Sequence, residues 1–265
     1  MAELRFTILG CGSSGGVPRL GGNWGACDSS NSRNSRMRCS LLIQRFEDNG
    51  VTSVLIDTSP DMRRQLLDAK IGALDAVVYT HEHADHLHGL DDLRMIVLAM
   101  KKRLPVYAAP RAKNMILQRF GYAFTAPANS PYPPILDMHD LGDELAVNGA
   151  GGTIKITTFD VVHGNMDVRA ICVNNVLYTP DISAFRGDPA NDLAEIDCWI
   201  LDSLRYKEHP SHANVEQALK WIETYSPKRA ILTNLHIDLD YDILNGETPQ
   251  NVSPAHDGLQ INLKV

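Results

Sequence analysis

The sequence is poor in the features that mark disulfide-built, secreted or membrane-spanning proteins. Its 265 residues include only five cysteines, an odd number with no Cys-x-x-Cys pair. This excludes a zinc ribbon and argues against a disulfide framework. No apolar run approaches about 18 residues, so neither a membrane span nor a membrane partner is expected. The first residues lack the basic flank and cleavage site of a secretory signal, so the reducing cytoplasm is the expected compartment.

Positive charge is also scarce. Lys and Arg total 25 against 32 Asp and Glu, which gives a net charge of −7 with neutral histidines. This balance argues against non-specific binding of nucleic acid by the whole surface, and a nucleic-acid partner is not expected. No linker-like stretch divides the chain. We therefore expect one domain over residues 1–265.

Short apolar strand patterns alternate with helical patterns along the chain. The spacing of Leu90, Leu93, Val97 and Met100 predicts one helix over residues 87–100. Strand patterns dominate both ends of the sequence, and helices are interspersed. Helices that cover sheets predict a layered α/β arrangement.

Histidine is concentrated at one place in the chain. His81, His83, His86 and His88 fall within eight residues, directly after a short apolar strand, and Asp85 lies among them. Imidazoles suit Zn, Mn or Fe, and a carboxylate can join or bridge such ions. A loop that displays these groups at a strand end predicts a metal site.

Three further residues with ligand chemistry follow predicted strands, namely His163, Asp181 and His236. Two cations about 3.5–4 Å apart need about six or seven ligands. The histidine loop supplies four of them: His81, His83, Asp85 and His86. We therefore expect the remaining ligands to come from the three later strand ends.

The pattern His81-x-His83-x-Asp85-His86 resembles the signature of the metallo-β-lactamase-fold hydrolases, which have a four-layer αββα sandwich. Segments 10–18, 38–40 and 55–57 extend the resemblance over nearly the whole chain. The chain is most similar to the phosphodiesterase branch, which includes phosphoribosyl 1,2-cyclic phosphate phosphodiesterase and tRNase Z. This similarity implies hydrolysis of a small cyclic or nucleotide-like phosphodiester by a metal-bridging hydroxide. It also suggests a homodimer.

The resemblance assigns ligands to two divalent cations, Zn or Mn, with Fe also suited. One cation would be held by His81, His83 and His163. The other would be held by Asp85, His86 and His236, with Asp181 bridging the two.

The same resemblance assigns two supporting roles, to Asp57 and His212. Asp57 would orient the ligand loop from behind. His212 would lie near the leaving group, where it would either donate a proton to the leaving oxygen or hold the phosphate in place. Asp85 is a weaker candidate for moving a proton, because a metal-bound carboxylate is a poor base.

The last ligand departs from the family pattern. In the family this histidine commonly follows a serine or threonine directly, whereas Thr233 is followed here by Asn234 and Leu235, and then by His236. Residues two apart in an extended segment share a face. Asn234 and His236 therefore both remain candidates for completing the second metal site.

The glycine-rich segment 10–15 fits a dinucleotide-binding pattern, but no helical period follows it, which argues against a Rossmann site. We expect instead a turn near the metal site, with Ser13 and Ser14 contacting a substrate phosphate. Arg33, Arg36 and Arg38 follow in the same long loop. They form either a solvated run or a contact for an anionic substrate.

Other functions compete with a small-molecule phosphodiesterase. The same site could process RNA in the manner of tRNase Z, although the net acidity and the lack of a long inserted arm oppose this. It could also hydrolyse a lactone or thioester. A non-catalytic binding module is disfavoured, because buried ionisable ligands without a purpose would be costly.

Overall fold

The computed structural model describes residues 2–190 and 192–265, and in these residues the chain forms two sheets and six α-helices. The helices are α1 (Met62–Asp68), α2 (Ala84–Leu87), α3 (Leu93–Met100), α4 (Pro110–Phe124), α5 (Val215–Tyr225) and α6 (Tyr241–Glu247). The strands are β1 (Glu3–Gly10), β2 (Ser40–Glu47), β3 (Gly50–Ile56), β4 (Ala76–Val78), β5 (Leu104–Ala108), β6 (Leu136–Asp140), β7 (Glu144–Gly149), β8 (Gly152–His163), β9 (Met166–Val173), β10 (Val176–Thr179), β11 (Ala184–Phe185), β12 (Cys198–Asp202), β13 (Arg229–Thr233), β14 (Val252–Pro254) and β15 (Leu259–Lys264).

The first of two compact units comprises residues 2–9, 40–155 and 260–265. Its sheet runs in the order β15-β1-β2-β3-β4-β5-β6, and the strands from β3 to β6 are parallel. Leu55 and Val77 from the strands pack with Met62 and Ile116 from the helices in one buried cluster. The sheet is apolar on this face because helices cover it.

The second unit comprises residues 10–39 and 156–259. Its sheet runs in the order β11-β8-β9-β10-β12-β13-β14. β10, β12, β13 and β14 are parallel. Leu177, Trp199 and Leu232 of these strands pack with Ile222 of α5 and Leu244 of α6. Each unit therefore carries a sheet and a helical layer, and the mixed α/β class is confirmed.

Polar residues follow the carboxyl ends of the parallel strands in each unit. In the first unit, Asp57 follows β3 and Thr80 follows β4. In the second, Asp181 follows β10, Asp202 ends β12 and Asn234 follows β13. Carboxyl ends of parallel strands meet at one edge of a sheet, and this edge is where α/β proteins place their sites.

The prediction of one helix over residues 87–100 is wrong. The chain forms α2, a 3-10 turn at Leu90–Asp92 and then α3. Gly89 causes the break, because its N–H donates to Thr58 O at 2.9 Å and an added Cβ would lie only 2.1 Å from Ser59 O. The backbone approaches too closely there for any other residue.

The sequence patterns do not predict helix α6 or four of the strands, namely β6, β7, β11 and β14. β6, with the sequence Leu-Asp-Met-His-Asp, has no apolar run and becomes a strand by pairing with β5. Within residues 2–190 and 192–265, no helix combines the length and the apolar character that crossing a membrane requires. The single domain over residues 1–265 stays a prediction.

Trp199 tests the core of the second unit. Its side chain is fully buried, and its Nε1–H donates to Thr179 Oγ1 at 2.9 Å. Trp199→Ala is expected to lower the free energy of unfolding by about 3–5 kcal/mol, because it leaves a large cavity. Denaturant unfolding measures this, with Trp221→Ala as the comparison, because Trp221 is only partly buried where it packs against the same cluster and against Phe185. An equal loss in the two variants would contradict this description of the core.

Candidate metal centre

Asp57 is the anchor of the histidine loop in the first unit. Its carboxylate is fully buried and accepts three hydrogen bonds, from Thr80 N at 2.8 Å, Thr80 Oγ1 at 2.7 Å and His86 Nδ1 at 2.8 Å. The residue has a φ of +61°, a conformation that Asp tolerates better than most residues. Asp57 thereby ties the end of β3 to the loop that follows β4.

These bonds decide which ring nitrogen each imidazole presents. Since His86 Nδ1 donates to Asp57, its Nε2 carries the lone pair. Since Thr80 Oγ1 donates its proton to Asp57, it must accept from His81 Nδ1, 3.0 Å away. His81 therefore also presents an unprotonated Nε2. A metal ligand needs this tautomer.

The other residues of the loop lie close to these two rings. The His81 ring is 4.6 Å from the His83 ring and 4.3 Å from the His86 ring, measured between centroids. Asp85 Oδ2 is 3.7 Å from His86 Nε2. All four predicted ligands of the loop are thus brought together within the first unit.

Two arginines of α4 hold the loop at Glu82. Arg111 Nε donates to the Glu82 carboxylate at 2.7 Å, and Arg119 Nη1 donates to the Glu82 carbonyl oxygen at 2.7 Å. Sequence reasoning missed both arginines, because α4 lies about thirty residues after the loop and nothing local connects them. They fix the backbone from which His81 and His83 project.

In the second unit, His163 and Asp181 are buried neighbours. His163 Nδ1 donates to the carbonyl oxygen of Ser211 at 2.5 Å, so Nε2 again carries the lone pair. That Nε2 lies 3.4 Å from Asp181 Oδ2. An imidazole whose Nδ1–H donates to a fixed acceptor therefore occurs in both units.

His212 is paired with a buried acid that sequence reasoning missed. Its Nδ1 lies 2.8 Å from Asp202 Oδ2, and its ring is 4.5 Å from the His163 ring. Burial raises the pKa of Asp202 to about 7, against the opposing effect of His212. Asp202 directly follows the apolar residues of β12, which is the strand-end signal that identified the other candidates.

Asn234 joins this pair to Asp181. Its side-chain nitrogen lies 3.2 Å from Asp181 Oδ1, 3.2 Å from Asp202 Oδ1 and 3.1 Å from His212 Nδ1. Since His212 Nδ1 holds the proton it shares with Asp202, it cannot accept another. The two amide hydrogens therefore go to the two carboxylates.

His236 makes different contacts. Its Nε2 contacts the guanidinium of Arg19, and its Nδ1 lies 3.0 Å from Asp238 Oδ2. Burial lowers the pKa of His236, and the positive charge of Arg19 adds to this effect. At the turn after β13, Asn234 is thus the residue that contacts Asp181, and His236 contacts charged side chains.

In the second unit, His163 and Asp181 offer donors suited to a metal ion. The first unit alone brings together four such side chains, namely His81, His83, Asp85 and His86. Three imidazole nitrogens and a carboxylate oxygen are the donors that Zn, Mn and Fe accept. The residues present therefore fit a divalent cation.

The serines of the glycine-rich turn and the arginines that follow it differ in their burial. Ser13 is buried, its N–H donates to Leu235 O at 3.2 Å, and Ser14 is exposed. Arg36 is buried and donates to Asn34 Oδ1 at 3.0 Å, which excludes a solvated role for it. Arg33 is exposed and lies over the Tyr241 ring.

A family model described as the beta-lactamase superfamily domain matches residues 52–237. Among curated proteins, the chain is 34% identical over 262 residues to an "Octanoyltransferase" of Porphyromonas gingivalis, covering 97% of this chain and 51% of that protein. A second relative, "Coenzyme PQQ synthesis protein B" of Bradyrhizobium diazoefficiens, is 27% identical over 172 residues, which is 60% of this chain and 52% of that protein. The chain spans about half the length of these relatives.

Among solved structures, the chain is similar to a diphosphatase from the PhnP family, with a TM-score of 0.87 and 31% identity over 99% of this chain and 98% of that one. It also shares its fold with Zn(2+)-bound PqqB from Methylobacterium extorquens. There the TM-score is 0.71 at 18% identity, over 98% of this chain and 100% of that one.

Asp57→Asn tests the anchor of the histidine loop. An amide offers one acceptor oxygen where three donors now meet a carboxylate, so at least one buried donor loses its partner. The free energy of unfolding should fall by about 2–3 kcal/mol. Asp68→Asn removes an exposed ion pair with Arg64 and should change it by about 0.5 kcal/mol or less. Equal stabilities of the two variants in denaturant unfolding would show that Asp57 is no anchor.

Proposed function

The chain belongs to the beta-lactamase superfamily, and from this premise we propose that it is a metal-dependent hydrolase that cleaves small phosphodiesters, cyclic or nucleotide-like. The observation that carries the proposal is the first unit's cluster of His81, His83, Asp85 and His86, in which Thr80 and Asp57 orient two of the rings. A PhnP-family diphosphatase that is similar over nearly the whole chain supports phosphorus chemistry.

We propose two divalent cations, Zn or Mn, with Fe also suited. The first would be held by His81, His83 and His163, and the second by Asp85 and His86, with Asp181 as a further ligand. The turn over residues 234–236 supplies the remaining ligand. When bound, such a pair lowers the pKa of coordinated water and neutralises phosphoryl oxygens.

His212 is the proposed proton donor to the leaving oxygen. Asp202 holds Nδ1–H, so the proton that moves is the one on Nε2. Asp202 also stabilises the imidazolium before the transfer, because a carboxylate 2.8 Å away favours the charged ring. Asp85 is the weaker alternative for this role. Ser13 and Ser14 are proposed to contact the substrate phosphate.

His81→Ala is expected to lose metal and activity together, because it removes an oriented imidazole from the centre. Metal equivalents are measured by mass spectrometry of the purified protein, and activity on bis(p-nitrophenyl) phosphate with Mn or Zn supplied. His139→Ala, which removes a ring stacked on Tyr107, is the matched control and should keep both. Full metal content in His81→Ala would contradict the proposed centre.

His212→Ala should keep its metal and lose rate by about 10²–10⁴-fold, the usual contribution of a general acid. Asp202→Asn should lower the rate in the same direction, because it weakens the hold on Nδ1–H. The measurement is kcat on the same ester together with metal content. An unchanged kcat in His212→Ala would remove this residue from the mechanism.

Activity on other classes of substrate distinguishes the proposed function from its alternatives. Hydrolysis of a p-nitrophenyl acyl ester or a lactone, with no turnover of the phosphodiester, would favour an acyl hydrolase and overturn the proposal. Cleavage of precursor RNA at a rate above that of the small diester would favour an RNA-processing enzyme. Preference for the small diester supports the proposal.

A further inference from the structure

We propose that Arg19, His236 and Arg205 form a binding subsite for a second phosphate group of the substrate, and that His236 is therefore not a metal ligand. The subsite rests on the proposed phosphodiesterase function and specifies its substrate class, a compound with a second phosphate beyond the scissile group. All of its residues belong to the second unit, so the argument uses contacts within that unit alone.

Arg19 is held in place by the loop that carries it. Its N–H donates to Asn23 O at 2.9 Å, and its carbonyl oxygen accepts from Gly22 N at 3.0 Å, which closes a tight turn. Its side chain crosses Gly15, where an added Cβ would lie 3.1 Å from Arg19 Nε. The guanidinium ends against Nε2 of His236. A glycine at position 15 thus leaves the space that lets this cation reach the ring.

His236 lies among positive groups on several sides. Its N–H donates to the carbonyl oxygen of Leu204, the residue before Arg205, at 2.9 Å. Burial lowers the pKa of His236, and the positive charges of Arg19 and Arg205 add to this effect. Arg36 Nη1 donates to the His236 carbonyl oxygen at 3.3 Å. Asp238 contacts the ring, but its side chain is 49% exposed and offsets only one of these charges.

Arg205 is oriented by its own loop. Its Nε donates to Lys207 O at 3.2 Å and its Nη2 to Glu208 O at 2.8 Å. These carbonyl oxygens fix the guanidinium plane but leave further N–H groups for a ligand. Planar arginine donors in a fixed orientation suit phosphate oxygens, which they bind in a bidentate manner.

The contacts of His236 conflict with metal binding. A cation on Nε2 would replace the lone pair that now faces the Arg19 guanidinium, and two positive charges on one nitrogen repel each other. Asn234, two residues earlier, already contacts Asp181 at 3.2 Å. The position next to the proposed centre is therefore taken by Asn234, and His236 serves the neighbouring subsite.

The glycine-rich turn is bonded to the segment that carries His236. Ser13 N donates to Leu235 O at 3.2 Å, and Leu235 N donates to Cys11 O at 2.8 Å, so the turn is attached to the residue between Asn234 and His236. The carrier of Arg19 and the segment of His236 are therefore held together by backbone hydrogen bonds.

The test measures the binding of nucleotides that contain no phosphodiester bond. AMP is compared with ADP and with adenosine 3′,5′-bisphosphate by calorimetry on the metal-loaded protein. The wild-type protein should bind ADP or the bisphosphate about tenfold more tightly than AMP, the effect of one charge-assisted contact. Arg19→Ala and Arg205→Ala should each reduce this ratio to about two or less. Arg33→Ala, an exposed arginine of the same loop region, should keep it.

Metal content separates the subsite from the metal centre. His236→Ala should retain as many metal equivalents as the wild-type protein and lose the nucleotide preference. Loss of one equivalent in this variant, no preference in the wild-type protein, or a preference that persists in both arginine variants would each overturn the inference. If the wild-type protein fails to hydrolyse bis(p-nitrophenyl) phosphate, the proposed function falls, whereas the nucleotide comparison still decides the subsite.

Discussion

The candidate centre depends on a fixed proton at Nδ1 of its imidazoles. His81, His86 and His163 each donate from Nδ1, to Thr80, Asp57 and the Ser211 carbonyl respectively, so each presents Nε2 as a lone pair. A free imidazole exchanges between tautomers and rotates about its side-chain bonds. The hydrogen bonds behind the rings remove this freedom before any cation binds, and the preorganised donors therefore need little rearrangement.

Buried carboxylates provide this orientation at an electrostatic cost. Asp57 is fully buried at the end of β3, and its three hydrogen bonds compensate for the water that its carboxylate has lost. The compensation is less complete for Asp202, so burial raises the pKa of this carboxyl to about 7. The side-chain amide of Asn234 donates a hydrogen bond to Asp181 and another to Asp202. Because this amide is neutral, no third buried charge lies between the two carboxylates. The second unit thus links a candidate ligand to the His212 pair through one uncharged side chain.

Much of the site could be read from residues that follow apolar runs. The cluster His81, His83, Asp85 and His86 was recognisable because four ligand-type residues directly follow a short buried strand. His163 and Asp181 follow the same rule, and the structure places them side by side in the second unit, with His163 Nε2 3.4 Å from Asp181 Oδ2. The two-cation assignment stays a prediction. Asp202 obeys the rule as well but was overlooked, because a single aspartate at a strand end is common and carries no motif.

The amino-acid sequence by itself determined the alternation of strands and helices, the family and the loop of imidazoles, because apolar periodicity and local spacing are properties of neighbouring residues. Only the tertiary structure decided which nitrogen each ring presents, which residue after β13 contacts Asp181, and that Arg19 reaches His236 across more than two hundred residues. These features depend on hydrogen bonds and charges between segments that are distant along the chain. No local pattern specifies such contacts, because they exist only once the sheets have brought the loops together.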